Sequence, residues 1–398
     1  MLRIGIFTNS YHPAIHGVVR SVDIFRRELV RLGHDVFVFC PADETYIDND
    51  PQVYRYPSLA NYRAMDCRIS VPHSFKMDRV IKGLDLDIIH TQHPIFIGYE
   101  ASRQARRCGI PLVLTYHSQY ENVLRTYFDW SEGFFRAIFR ILYQRYFGRT
   151  DCVITPTESI RRMELARSPD NEGHFVVLPT PLDGDMLLDP HPEPVIERYG
   201  LAGHFTFVST NRLGPEKNLY TMIDAFGLIA ERDPSTRLLL VGDGPIRQDL
   251  ERYIGARKLS HQVVMTGMVP MRDIRNYLAA GDAYVCASLT ETQGLALLEA
   301  MAMGLPVVAT QAPGNSDSVT HEVDGLLTEP NTDSLASGML TLLQDADLRI
   351  RLGQAAREVL VRYDPATLAK RLLAIYQAVI AGKPYPPDLS FNPSARAG

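Results

Sequence analysis

The chain has 398 residues, of which 45% are hydrophobic and 22% are charged, and its formal net charge is −5. This is the composition of a folded globular protein with room for two α/β domains, which excludes a disordered or fibrous chain. The negative net charge argues against binding to duplex nucleic acid, because such binding needs a broad cationic surface.

Short apolar, β-branched runs alternate with helical patterns, which is typical of parallel strands joined by crossover helices. In chain order the first runs are RIGIFT, DVFVFC, DIIHTQ, PLVLTYH, CVITPT and HFVVLP. A second series follows with FTFVSTNR, RLLLVGDG, QVVMTGMV, AYVCAS and LPVVAT. Each series has enough strands for a sheet of its own, so we predict an α/β protein with two domains.

The boundary between the domains is indicated by residues 179–194, which are rich in Pro, Asp and Gly. We predict a first domain over residues 1–185 and a second over residues 186–365. Residues 366–398 predict an amphipathic helix and a Pro-rich tail, which we expect to pack back toward the first domain.

The five cysteines are scattered and form no C-x-x-C pair, so the sequence predicts neither a disulfide framework nor a zinc site. No stretch offers 18 uncharged apolar residues, and the N-terminus runs directly into a strand pattern. We therefore expect a cytoplasmic protein without a classical secretion signal or an integral membrane segment.

Residues 117–149 stand out as rich in aromatic side chains and arginines. Arg136 and Arg140 recur among phenylalanines, isoleucines and tyrosines, as in a helix that lies on an anionic membrane with its apolar side buried. The same pattern fits a helix that packs one face of the first domain. The sequence leaves both interpretations open.

A cationic turn, NRLGPEKN, follows the first strand of the second series and contains Arg212 and Lys217. In open α/β sheets, ligands bind beyond the carboxyl ends of the strands. A guanidinium and an ammonium group at that place can neutralise a diphosphate leaving group, whereas in an ordinary surface loop they would simply be solvated.

Two carboxylates lie in SLTETQGLALLEAMAMGLPVVAT, which predicts a loop, a helix, a turn and a strand. We expect the helix to begin near Gln293 and Gly294, with Glu291 before it and Glu299 two turns inside it. Glu291 can then accept hydrogen bonds from sugar hydroxyls and Glu299 from ribose hydroxyls, while the N–H groups of Gly294 and Leu295 face phosphates. The alternative is a helix-dipole charge at Glu291 and a solvated Glu299.

The base of such a nucleotide is expected near Gly242, with backbone groups of Met268 as a further contact. The segment VGDGP lacks the G-x-G-x-x-G spacing of a dinucleotide fold, which disfavours an NAD enzyme. No cluster with metal-ligand spacing is visible, so we expect cations of the chain and a helix dipole to meet the charge of the leaving group.

The segments N-R-L-G-P-E-K-N and E-T-Q-G-L-A-L-L-E-A-M-A-M-G-L-P-V-V-A together resemble the signature of glycosyltransferase family 4. The resemblance spans nearly the whole chain and includes T-N-S-Y-H-P-A-I-H-G-V-V-R-S, T-Y-H at residues 115–117 and V-G-D-G-P at residues 241–245. It implies two facing Rossmann-like domains of the GT-B type, an active site in the cleft between them and a C-terminal crossover helix. It also implies a retaining hexosyltransferase with no obligatory metal or cofactor.

The resemblance assigns roles to the donor-binding residues. It implies that Arg212 and Lys217 bind the donor pyrophosphate, that Glu291 binds the hexose and that Glu299 binds the ribose.

In the first domain the resemblance points to three further residues. His117 matches the family's histidine near the transferred sugar, and Gly17 keeps a glycine of the first loop. His16 departs from the usual Gly-Gly or Asn-Gly pair. We place His16 on the acceptor side of the site, together with the membrane-facing Arg136 and Arg140.

The segments Y-H-S-Q-Y-E-N and T-E-T-Q-G-L resemble bacterial diacylglycerol glucosyltransferases within the family. This implies transfer of glucose from UDP-glucose to a lipid such as diacylglycerol, by a protein bound peripherally to the cytoplasmic membrane face. One alternative is a GDP-mannose-dependent α-mannosyltransferase that acts on a lipid or a soluble acceptor. Another is a homologue that binds sugar nucleotides without transferring sugar. The sequence leaves the oligomeric state undefined.

Overall fold

The structure of the protein, a computed structural model, describes residues 1–14, 16–62, 67–71, 74–117, 119, 146–167 and 173–385. The chain divides into two units, Leu182–Tyr363 and a unit that combines Met1–Pro181 with the segment that begins at Asp364. No helix in the described ranges is long and apolar enough to cross a membrane.

The first unit contains a parallel sheet of seven strands and a separate antiparallel pair. The strands are β1 (Arg3–Phe7), β2 (Asp35–Pro41), β3 (Val53–Tyr56), β4 (Ser58–Tyr62), β5 (Cys67–Ser70), β6 (Ile88–Thr91), β7 (Leu112–Thr115), β8 (Cys152–Thr155) and β9 (Phe175–Val177). The large sheet has the order β3-β2-β1-β6-β7-β8-β9, and β4 pairs with β5. The helices described between these strands are α1 (Gly17–Arg31), α2 (Phe75–Leu84), α3 (Ile97–Cys108) and α4 (Glu158–Arg167).

The second unit contains a parallel sheet of six strands. The strands are β10 (Thr206–Thr210), β11 (Arg237–Val241), β12 (Val263–Met265), β13 (Ala283–Cys286), β14 (Val307–Thr310) and β15 (Leu326–Thr328). Their order is β12-β11-β10-β13-β14-β15. The helices are α5 (Glu193–Tyr199), α6 (Leu219–Arg232), α7 (Arg247–Ala256), α8 (Ile274–Ala279), α9 (Leu295–Ala302), α10 (Asn315–Ser318), α11 (Thr332–Gln344), α12 (Ala346–Ala356) and α13 (Val359–Arg362).

Both sheets are doubly wound, and this sets where a ligand can bind. The chain builds one half of each sheet outward, returns to the middle and builds the other half, so the strand order reverses between β1 and β6 and between β10 and β13. In such sheets a crevice opens beyond the carboxyl ends of the strands at the point of reversal. The predicted α/β class, with a parallel sheet in each half of the chain, is confirmed.

The last helix in the described ranges, α14 (Pro365–Ile380), follows the second unit in sequence but packs against α1 of the first unit. It is fixed by a buried chain of hydrogen bonds, in which the Tyr376 hydroxyl lies 2.6 Å from His90 Nδ1 and His90 Nε2 lies 2.7 Å from Thr115 Oγ1. Burial lowers the pKa of His90 to about 3, so its ring is neutral. The helix is thereby joined to β6 and β7.

The sequence patterns did not identify β3, β4, β5 or β15. Their sequences, VYRY, SLANY, CRIS and LLT, contain few β-branched residues and lack the continuous apolar run that identified the other strands. The strand predicted from RLLLVGDG is too long. It includes glycines and an aspartate of the loop that follows β11, which ends at Val241.

Candidate functional site

The loops that follow β10 and β13 meet at the point of reversal in the second sheet. These two strands are hydrogen-bonded neighbours. Lys217 lies in the first loop and Glu291 in the second, and Lys217 Nζ donates a hydrogen bond of 2.5 Å to Glu291 Oε1. Both side chains are only about one-fifth exposed, at 21% and 18%. The structure therefore brings together two of the predicted site residues that are 74 positions apart in sequence.

The first loop is shaped by a single turn of 3₁₀ helix over Pro215–Lys217, which Asn218 ends in the left-handed conformation at φ +53°. Asn218 is also the N-cap of α6, and its Nδ2 donates a hydrogen bond to Ala287 O at 3.2 Å. Sequence analysis missed this residue. Its position at the start of a helical pattern was the available signal, because Asn tolerates positive φ better than most residues.

Arg212 lies in the same loop, two residues beyond the end of β10. Its Nη1 is 3.7 Å from Glu216 Oε1, an ion pair longer than a hydrogen bond, and its side chain is about one-third exposed. The Glu216 carboxylate lies over Gly214, where a Cβ atom would come within 2.3 Å of it. The 3₁₀ turn over Pro215–Lys217 keeps Arg212 and Lys217 in one short loop.

The charges of Lys217 and Glu291 stabilise each other. Burial disfavours the ammonium form of Lys217, but the Glu291 carboxylate outweighs this effect and raises the pKa of Lys217 above its ordinary value. Burial alone would raise the pKa of Glu291, but Lys217, together with a hydrogen bond from Ser288, lowers it. Both groups are charged at neutral pH.

The helix α9 begins at Leu295 because Gly294 takes the left-handed conformation at φ +72°. The predicted start near Gly294 is confirmed. The predicted depth of Glu299 is wrong, since it is the fifth residue of the helix and lies just over one turn inside it. Its interpretation as a solvated residue is also wrong, because Glu299 is only 4% exposed.

The loop that carries Glu291 is supported from behind by the segment after β14. Asn315 is fully buried and its Nδ2 donates hydrogen bonds of 3.0 Å to Ser288 O and Thr310 O. Ser318 Oγ donates to the carbonyl oxygen of Gln293 at 2.8 Å. These supporting residues were not predicted, because no sequence motif marks a side chain that donates hydrogen bonds to backbone carbonyl groups.

Gly242 and Met268 lie at the ends of the next two strands of this sheet. Gly242 has φ +134°, and a Cβ atom there would lie 1.9 Å from Asn211 O, so the loops after β10 and β11 approach through their backbones. Gly242 also pairs with Gly267 in an isolated antiparallel bridge. Met268 follows directly, with a side chain that is 77% exposed.

In the first unit, the predicted His16 and Gly17 lie at the start of α1. Gly17 is the first residue of that helix and His16 is its N-cap. The ring of His16 makes no capping hydrogen bond, and its Nε2 lies 2.6 Å from Ser10 Oγ in the loop after β1. His16 therefore connects the helix to this loop, and Ser10 was missed by sequence analysis.

His117 follows β7, and its Nε2 donates a hydrogen bond of 2.7 Å to Oε1 of Gln92, which follows β6. Burial lowers the pKa of His117 to about 3, and His16 adds to the effect. Burial also lowers the pKa of His93 below its ordinary value, and the rings of His117 and His16 lower it further. Three histidines are thus neighbours at the carboxyl edge of this sheet, and His93 and Gln92 were not predicted.

The remaining predicted site residues, Arg136 and Arg140, lie outside the residues that the structure describes, so the membrane interpretation of residues 117–149 stays a prediction. Within the described ranges, no group of three or more His, Cys, Asp or Glu side chains could hold a metal ion.

Two family models match this chain. The model "Glycosyltransferase Family 4" matches residues 15–192, and the model "Glycosyl transferases group 1" matches residues 197–359. The Lys217 and Glu291 pair lies in the second match, and His16, Gly17 and His117 lie in the first.

Curated relatives cover nearly the full length of the chain. An alpha-monoglucosyldiacylglycerol synthase of Streptococcus pneumoniae is 28% identical over 98% of this chain and 88% of its own length. A GDP-mannose-dependent alpha-mannosyltransferase of Mycobacterium tuberculosis is also 28% identical, over 95% of this chain and 97% of its own.

Among solved structures, HepE of Anabaena in complex with UDP-glucose superposes with a TM-score of 0.75 at 19% identity, covering 95% of this chain and 100% of that one. With the two family models, this likeness confirms the predicted GT-B class, in which two Rossmann-like domains are combined in one chain.

We predict that Glu291→Gln lowers the free energy of unfolding by about 1–3 kcal/mol at neutral pH, since the amide oxygen can still accept a hydrogen bond from Lys217 but the negative charge that pairs with its ammonium group is lost. A carboxylate whose pKa is lowered by folding adds stability above its unfolded pKa of about 4.3 and loses it as the pH falls through the folded value. The stabilities from urea titrations of the two proteins should therefore differ by a constant amount above about pH 5, and the difference should shrink progressively as the pH falls below about 4.3. A difference that persists in strong acid would contradict the ion pair.

Proposed function

The chain belongs to glycosyltransferase family 4, and we propose that it is a retaining hexosyltransferase that transfers glucose from UDP-glucose to a lipid acceptor such as diacylglycerol. The observation that carries the proposal is the contact between Lys217 and Glu291 where the second sheet reverses its strand order. A fixed ammonium group suits a phosphate, and a fixed carboxylate suits sugar hydroxyls.

In the proposed donor complex, Arg212 and Lys217 bind the diphosphate, and the first N–H groups of α9 at Gly294 and Leu295 point to the same phosphates. As the bond to the sugar breaks, negative charge grows on the departing diphosphate. Cations already held in place stabilise that charge more than they stabilise the bound substrate, which lowers the barrier.

The two glutamates fix the remainder of the proposed donor. Glu291 accepts hydrogen bonds from hexose hydroxyls, and Glu299 accepts them from the ribose. The base lies near Gly242, where the absence of a side chain leaves the backbone accessible, and near the backbone of Met268. We propose that the departing phosphate takes the proton of the acceptor hydroxyl on the same face, which gives retention of configuration.

In the first unit we assign His117 to the transferred sugar, with a neutral ring that makes hydrogen bonds and carries no charge. The loop at His16 and Gly17 is assigned to the acceptor side. Arg136 and Arg140 are proposed to face an anionic membrane at the inner face of the cell.

The names of the similar proteins support both halves of the substrate assignment. The relative from Streptococcus pneumoniae is an alpha-monoglucosyldiacylglycerol synthase, which supports glucose and diacylglycerol. The solved structure of HepE contains UDP-glucose, which supports the donor. The second candidate is a GDP-mannose-dependent α-mannosyltransferase. It is favoured by the relative from Mycobacterium tuberculosis, whose identity to this chain is also 28%.

A panel of nucleotide sugars distinguishes these candidates. A ligand that binds only the folded protein raises its unfolding temperature, and at 100 times its Kd the stabilisation is about 2.7 kcal/mol. We expect UDP-glucose to raise the unfolding temperature more than GDP-mannose or ADP-glucose does. A larger shift with GDP-mannose would replace the glucosyltransferase proposal with the mannosyltransferase one.

We predict that Lys217→Ala and Glu291→Ala each reduce transfer by about 10²–10³-fold, because each removes a group aimed at the donor. Transfer of labelled glucose to diacylglycerol in detergent micelles measures the effect. Lys258→Ala and Glu329→Ala, which alter exposed residues of the same unit, are the matched controls and should retain full activity. Full turnover by the first pair would remove the site assignment.

A further inference from the structure

The first sheet contains, at its point of reversal, a histidine that the proposed mechanism does not use. The strand order of this sheet reverses between β1 and β6, and ligands of such sheets bind beyond the carboxyl ends of the strands at that point. His93 lies in the loop after β6, two residues beyond the end of the strand at Thr91. The residue is partly exposed. It therefore lies where the fold itself favours the binding of a ligand.

The ring of His93 has a defined protonation state. The backbone N–H of Asn9, in the loop after β1, donates a hydrogen bond of 3.2 Å to Nδ1 of His93. Nδ1 is therefore an acceptor and carries no proton. Burial, together with the neighbouring rings of His117 and His16, keeps the pKa of His93 well below its ordinary value, so the ring is neutral. A neutral imidazole carries one proton, and in His93 this proton lies on Nε2.

The backbone around His93 is held firmly. Asn9 is only 4% exposed, and its Nδ2 donates a hydrogen bond of 3.2 Å to the carbonyl oxygen of Ile95. Its Oδ1 accepts a hydrogen bond of 3.1 Å from the backbone N–H of Ile97, at the start of α3. The carbonyl oxygen of His93 itself accepts a hydrogen bond of 2.9 Å from Thr91 Oγ1. The ring thus projects from a loop that both neighbouring strands fix in place.

The Nε2–H group of His93 remains available to a ligand. Among the residues that the structure describes, this atom has no hydrogen-bond partner. The other two histidines of the cluster differ in this respect. Nε2 of His117 donates to Gln92, and Nε2 of His16 lies 2.6 Å from Ser10 Oγ. Nε2 of His93 is not sealed inside the protein, so a substrate can reach it.

The neighbours of His93 place it on the acceptor side of the proposed site. Asn9, which fixes the ring, directly precedes Ser10, and Ser10 contacts His16 of the loop assigned to the acceptor. His117, which is assigned to the transferred sugar, lies close enough to lower the pKa of His93. The ring is thus a neighbour of residues assigned to both partners of the reaction.

We propose that His93 is an acceptor-binding residue, whose Nε2–H group donates a hydrogen bond to an oxygen atom of the lipid acceptor near its attacking hydroxyl. The inference rests on the proposed function, which supplies the acceptor. The attacking oxygen bonds to the anomeric carbon as the bond from that carbon to the diphosphate breaks. Because Nε2 already carries a proton, the proton of the hydroxyl passes to the departing phosphate and not to His93. The ring orients the acceptor and remains neutral throughout.

Two substitutions separate this role from a purely structural one. In His93→Asn the amide oxygen takes the place of Nδ1 and still accepts from Asn9, but the donor at Nε2 is lost. In His93→Gln the longer side chain carries an amide N–H group to the position of Nε2. We expect the KM for diacylglycerol in detergent micelles to rise about three- to tenfold in His93→Asn, through loss of one hydrogen bond, with kcat changed by less than about twofold. In His93→Gln the KM should stay within about twofold of that of the unaltered protein.

His34→Asn is the matched control. Nδ1 of His34 accepts a hydrogen bond of 2.9 Å from the backbone N–H of Leu2, and the residue is partly exposed, like His93. It precedes β2 and so lies at the opposite edge of the same sheet. We expect this variant to keep the KM of the unaltered protein. An unchanged KM in His93→Asn would overturn the proposal, and so would an equal rise in His34→Asn or in His93→Gln.

Measurements on the donor show which substrate His93 binds. The KM for UDP-glucose and the thermal shift with UDP-glucose should be the same in His93→Asn as in the unaltered protein, which also shows that the variant is folded. A weakened response to UDP-glucose in this variant would overturn the assignment to the acceptor.

A readout that needs no turnover separates this proposal from the proposed function. In protein with ¹⁵N-labelled histidine, addition of dioctanoylglycerol in the presence of UDP should shift the Nε2 resonance of His93 and leave that of His34 unchanged. Absence of a shift at His93 would overturn the proposal. A shift in a protein that transfers no sugar would support the proposal and count against the proposed transfer alone.

Discussion

The contact between Lys217 and Glu291 is the constraint on which the second unit's site depends. Removing two charges from water is costly, and their mutual attraction offsets that cost only where the geometry is held firmly. The surrounding backbone supplies this firmness, through the left-handed Asn218 on one side and the buried Asn315 on the other. The need to hold this pair in place explains the roles of Asn218 and Asn315, neither of which contacts a substrate in the proposed mechanism. It also leaves an ammonium group and a carboxylate already placed where the proposed donor needs them.

Much of the fold could be predicted, because parallel strands buried on both faces leave long apolar runs in the sequence. The candidate site residues of the second unit could also be predicted, since Arg212 and Lys217 lie within one turn and Glu291 and Glu299 within one segment. What the sequence could not give was the contact between residues 74 positions apart, because register and loop closure decide it. The burial of Glu299 was equally hidden, since a glutamate in a helix looks the same whether that face is covered or solvated.

In the first unit, too, contacts between residues that are distant in sequence could not be predicted. His16 departs from the family pattern, and only the structure shows that its ring reaches Ser10 in the preceding loop. His117 was marked by its motif, but its hydrogen-bond partner Gln92 directly follows the neighbouring strand, and the two residues meet only because β6 and β7 lie side by side. Burial then keeps the His117 ring neutral, which suits a group that orients a sugar better than one that supplies charge.

The central claim is that the loops at Arg212, Lys217 and Glu291 hold a nucleotide diphosphate sugar. A crystal structure of the protein with UDP-glucose tests it most directly. The account predicts diphosphate oxygens within hydrogen-bonding distance of Arg212 and Lys217, and hexose hydroxyls within that distance of Glu291. A diphosphate bound elsewhere, with the ion pair between Lys217 and Glu291 untouched by ligand, would contradict it.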